Sequence, residues 1–107
     1  MNQLEDAIKN LEAELPDAMA AFEKLHETVV REGAISTKYK RLMAVAVSVA
    51  LRCDNCTRTH VVGAFGEGAS RTEILEAAGI GIMMAGGPAM SFCATVLIET
   101  MNEPGIE

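Results

Sequence analysis

The segment Cys53-Asp54-Asn55-Cys56-Thr57-Arg58-Thr59-His60 places two thiols and an imidazole within eight residues. On a helix, Cys53 and Cys56 are i,i+3 neighbours, and Cys56 and His60 are i,i+4 neighbours. All three then project from one face at a helix N-terminus. Unsatisfied backbone N–H groups and the helix dipole favour thiolate over thiol at such a position. An imidazole one turn away can take the proton from Cys56 or stabilise its anion. A second thiol at this spacing can capture an oxidised sulfur as a disulfide before it oxidises further. Arg52 and Arg58 add positive charge nearby, and Asp54 opposes it. The pattern points to thiol–disulfide redox chemistry.

Other readings of the same residues fit less well. A c-type haem attachment needs His directly after the second Cys. A zinc site needs a fourth ligand, and the sequence offers only one other His, His26, and no second Cys pair. A purely structural role would leave both thiols as buried filler, but the residues between them are polar. Cys93 lies in an apolar stripe with Met90 and Leu97 and has no activating group beside it, so it is expected to be a packed core thiol. His26 is expected at the surface or an interface. Met83, Met84 and the remaining Met of the seven in the chain are expected to fill core or interface.

The elements that must position the thiols read as helices. Leu4, Ala7, Ile8, Leu11 and Leu15 recur at helical spacing, and Pro16 ends that run or opens the next helix. Met19, Phe22, Leu25 and Val29 form a second stripe, expected to end near Gly33. Ser36 or Thr37 can cap a third helix running to about Arg52, apolar nearly all round and so expected at the centre of a bundle. Asp54 or Asn55 would start the helix carrying the motif, and Gly66 and Gly68 would end it. Ser70 and Glu73 stand at capping-box spacing. Gly86-Gly87-Pro88 stops one helix and restarts another, striped by Met90, Cys93, Ala94, Leu97 and Met101. The tail from Asn102 is expected to fray. No stretch alternates for long enough to be a strand, so the fold class is all-α, a compact bundle of five to six helices.

Length and composition bound the rest. The 107 residues make a single domain, 1–107, and half of them are hydrophobic. That apolar share is generous for so small a chain, and a homo-oligomer would cover part of it. The net charge of -6 argues against a nucleic-acid or anionic-membrane partner. The longest apolar run, Leu42 to Leu51, is too short to span a bilayer. No targeting segment is visible, so a cytoplasmic protein is expected, and three Cys there do not read as a disulfide framework.

Residues 36–98 resemble the carboxymuconolactone decarboxylase superfamily, in particular its alkylhydroperoxidase D-like branch. The resemblance rests on the apolar helix before the first Cys, CxxCxxxH, the Gly-ending helix, the acidic capped helix after it, and Gly86-Gly87-Pro88-Ala89. It implies an all-helical homo-oligomer, trimeric or hexameric, whose thiol pair reduces hydroperoxides. Cys56 would attack the peroxide, Cys53 would resolve, and His60 would serve a proton relay. No bound cofactor or metal is implied. The partners would be a peroxide or other small-molecule substrate and an external dithiol reductant, protein or lipoyl-type. The ring-decarboxylating lyases on the same fold do not depend on a Cys pair, so the two thiols favour the redox branch. That lyase activity, and a non-enzymatic metal-binding or oligomeric module, are the competing readings. One position departs from the pattern. The family's relay usually includes a Glu twelve residues before the first Cys, and Arg41 stands there. Either the relay is truncated, or a carboxylate from another helix replaces that Glu, with Glu23 and Glu27 ranked above Glu32.

Overall fold

The computed structural model describes residues 2–107. These are helical throughout, with short connections and, among the described residues, no strand. Two compact units emerge, one ending at Arg31 and the other Glu32–Glu107.

The first unit is a helical hairpin. Helix α1 (Asn2–Glu14) packs on α2 (Pro16–Val30). Leu15 sits between them in a non-helical conformation, and Pro16 occupies the first turn of α2, where its missing N–H costs nothing. Helix α2 stops at Val30 with Arg31 extended, not at Gly33 as its stripe suggests. The hairpin's stripe residues are largely exposed, Phe22 at 62% and Leu25 at 59%.

The second unit contains the buried core. Helix α3 (Thr37–Leu51) packs against α4 (Asp54–Gly66) and α5 (Arg71–Ala85). Helix α6 (Gly87–Phe92) runs through one π turn, Cys93–Leu97, into α7 (Ile98–Asn102), so residues 87–102 form one continuous element and the described residues make six helices. Leu42, Val45 and Val49 of α3 meet Val61 and Ala64 of α4, Ile74 and Ala78 of α5, and Ala89, Leu97 and Met101 of the last element. Cys93 is buried among them, and that burial pushes its thiol pKa up.

Helix α3 is not enclosed as its composition suggests. One face enters the core, while Tyr39, Met43, Val47 and Leu51, four residues apart, form a stripe more than half exposed. Met83 and Met84 on α5 are exposed at 70% and 75%, so neither fills this chain's own core.

Local capping matches the sequence pattern at two starts. Ser36 accepts a hydrogen bond from the Tyr39 amide and opens α3. Ser70 and Glu73 form a reciprocal capping box at α5. The Glu73 carboxylate also pairs with Lys38 at 3.1 Å, tying the start of α5 to that of α3. The Ser70 backbone N–H, and then Lys38, hold the Glu73 pKa below the ordinary carboxylate value. Because the folded value is the lower one, this stabilisation is complete above the unfolded value. It is lost as pH falls through the folded value. Thermal unfolding followed from neutral pH into the acid range should show a shallower acid-side decline for Glu73→Gln than for the native chain. Parallel declines would refute this assignment.

Candidate active site

The α3–α4 junction puts the first thiol in place. Arg52 adopts the left-handed conformation (φ 55°), a strained one for a residue with a side chain. Its N–H caps α3 through the Ser48 and Val49 carbonyls, and the Cys53 N–H reaches back to the Ser48 carbonyl at 3.0 Å. This is a Schellman-type closure. It delivers Cys53 straight to the start of α4.

Cys53 itself is the N-cap of α4. Its Sγ accepts a hydrogen bond from the Cys56 amide at 3.2 Å. The expected cap, Asp54 or Asn55, lies instead inside the first turn. Sulfur thus takes the place an Asp or Ser oxygen usually fills, which puts it where α4's unsatisfied N–H groups point. Cys53 and Cys56 are joined by a disulfide, with their Cα atoms 5.3 Å apart. Cys53 is half-buried and Cys56 exposed.

Two ionic contacts hold this end of α4. Arg58 donates to Asp54 at 2.8 Å, one turn back, and also to Glu103 near the C-terminus. Those two carboxylates keep the Arg58 pKa raised. The negative charge of Asp54 beside the sulfurs is thereby partly neutralised.

His60 lies one turn beyond Cys56 on α4, half-buried. Its Nδ1 is 3.1 Å from Nη1 of Arg41, which reaches across from α3. Gly63 makes room for that reach. A Cβ there would come within 2.7 Å of the Arg41 Nε and 2.8 Å of its Cζ. The Arg41 Nε is buried without a hydrogen-bond partner, as is the hydroxyl of Thr57, whose side chain faces the core from α4.

The structure brings Cys53 and Cys56 together and sets His60 on the same helix. Glu23 and Glu27 are exposed on α2, in the first unit. There they line an open pocket of about 360 Å³ with Ile8, Met19, Phe22 and His26. A hydrogen bond and like charge from Glu12 raise the Glu23 pKa. Among the described residues, no group of three or more His, Cys, Asp or Glu is placed to hold a metal ion. The site residues that the motif did not reveal are Arg41, as the neighbour of His60, and Gly63. The position twelve residues before Cys53 was the available signal for the first. A glycine one turn past His60 was the signal for the second.

The family model for the carboxymuconolactone decarboxylase family matches residues 16–99. The chain belongs to the carboxymuconolactone decarboxylase family. An uncharacterised protein of Cupriavidus necator is 33% identical over 82 residues, 77% of this chain and 73% of that protein. Among solved structures, a carboxymuconolactone decarboxylase family protein of Legionella pneumophila superposes with a TM-score of 0.87 at 29% identity, covering 94% of this chain and 89% of that one. A carboxymuconolactone decarboxylase family protein of Thermotoga maritima, suggested to take part in the antioxidative response, gives 0.79 at 29% identity, with 92% of this chain and 87% of that one covered. The all-helical expectation and the family resemblance both hold. No described helix is long and apolar enough to cross a membrane.

Proposed function

We propose that the protein is a thiol-dependent hydroperoxide reductase in which Cys53 and Cys56 form the redox pair. The observation that carries this reading is the disulfide between them at the first turn of α4, with Cys56 an exposed residue. The antioxidative role suggested for the Thermotoga maritima protein points the same way.

The Cys56 thiolate attacks the terminal oxygen of ROOH. The O–O bond breaks, Cys56 becomes a sulfenic acid, and RO⁻ takes a proton from water. The Cys53 thiol condenses with the sulfenic acid, forming the disulfide and releasing water. A dithiol then attacks the Cys56 sulfur, and Cys53 leaves as thiolate. Attack by its second thiol frees Cys56 and oxidises the donor to a disulfide. The Cys56 amide that caps Cys53 suits the departing anion, and a better-stabilised thiolate leaves faster.

The test is a thiol count on the fully reduced protein before and after mild hydroperoxide. Two thiols per chain should disappear, with mass spectrometry locating the bond at Cys53–Cys56 and leaving Cys93 free. No thiol loss, or a loss confined to overoxidised single cysteines, would exclude the mechanism.

The working form is a homo-oligomer on this reading. The exposed stripe Tyr39, Met43, Val47 and Leu51 continues the core helix α3 onto the surface. Met43→Glu with Val47→Glu should shift the light-scattering mass toward that of a single chain. The helical circular dichroism should be unchanged. An unchanged oligomer would place the interface elsewhere.

A further inference from the structure

The Arg41–His60 contact fixes more than position. A guanidinium carries five N–H donors and no acceptor. At 3.1 Å from Nη1, the His60 Nδ1 must therefore be the accepting atom and carries no proton. Its neutral ring holds the hydrogen on Nε2. A doubly protonated ring would turn an N–H against an N–H and set two positive charges side by side in a half-buried place. The guanidinium is not there by chance flexibility, because Gly63 leaves the space that a Cβ would fill. Its Nε is buried within that space.

We propose that Arg41 is a positioning residue that locks His60 as the neutral Nε2–H tautomer, making His60 a fixed hydrogen-bond donor one turn beyond Cys56 on α4 and not a proton carrier. With Nδ1 occupied and Nε2 already protonated, the ring has no site to accept a proton while the contact lasts. The proton of the Cys56 thiol goes to water, RO⁻ takes its proton from water, and the Cys53 proton leaves in the water formed on condensation. His60 keeps its own protonation unchanged through these steps. This catalytic consequence rests on the redox reading above, whereas the tautomer stands without it.

Long-range ¹H–¹⁵N spectra of ¹⁵N-histidine-labelled protein at pH 7.5 read the tautomer directly. His60→Gln identifies the His60 ring against that of His26. The expected native pattern is a protonated Nε2 and an unprotonated Nδ1 at His60. Arg41→Met should erase this single-tautomer pattern. Gly63→Ala should do the same by displacing the guanidinium, and it serves where Arg41→Met does not fold. A native ring protonated at Nδ1, or a folded variant with an unchanged pattern, overturns the proposal. In a hydroperoxide assay, His60→Gln keeps N–H donors and should retain turnover within about 10-fold. Loss of an acid–base catalyst would instead cost about 10²-fold or more, and that result overturns the donor role. Undiminished turnover in Cys56→Ser would remove the redox reading alone and leave the tautomer to the spectra.

Discussion

Replacing Cys56 with Ser should abolish hydroperoxide consumption, by on the order of 10³-fold or more, when a dithiol donor is supplied. A serine hydroxyl is essentially un-ionised near neutral pH and cannot pass through a sulfenic acid. The loss should appear in kcat and kcat/KM alike, because the nucleophile acts in the chemical step. Cys53→Ser should behave differently. Cys56 is the exposed member of the pair and Cys53 the half-buried one. The Cys56 sulfur should still react once with peroxide, leaving a sulfenic acid that dimedone traps, but recycling should fail. Single-turnover and steady-state assays on both variants separate these roles. A dimedone adduct on Cys53 in the Cys56→Ser variant, with turnover retained, would reverse the assignment. Equal and full activity in both variants would remove the thiol mechanism.

Gly81→Ala should destabilise the chain by about 3 kcal/mol, at the upper end of what overpacking typically costs. Gly81 is buried where α5 crosses α3. A Cβ there would strike the Ala46 carbonyl oxygen, and would lie 3.2 Å from both the Ala50 amide nitrogen and the Val49 Cβ. Two of these three are backbone atoms, so no side-chain rotation relieves the clash and one helix must move. The core residues Val45, Val49, Ile74 and Ala78 line that same packing and would move with it. Gly79, two positions earlier on α5, is the internal control. It is exposed and a Cβ there meets nothing within 4 Å. Gly79→Ala should therefore stabilise by about 0.5–1 kcal/mol through the better helix propensity of Ala. Urea unfolding of the two variants reads both values. Equal effects would mean that the close approach at Gly81 carries no energy.

The sequence alone determined what depends on neighbours within about one helical turn. The apolar stripes, Pro16 at a helix start, the Ser36 cap and the Ser70–Glu73 capping box are contacts between residues three or four apart. So is the Cys53–Cys56–His60 spacing, which made the candidate site legible before any coordinates. The tertiary structure decided what depends on how helices cross. Arg41 and His60 are 19 positions apart and meet because Gly63 lets α3's side chain lie against α4. No local pattern distinguishes that arginine from a solvated one. The need for glycine at 81 but not at 79 has the same origin, since only the α3 backbone tells them apart. The exposed face of α3 follows the same logic in reverse. Its apolar residues mark surface that packing can cover, but periodicity does not say whether the cover comes from this chain or from outside it.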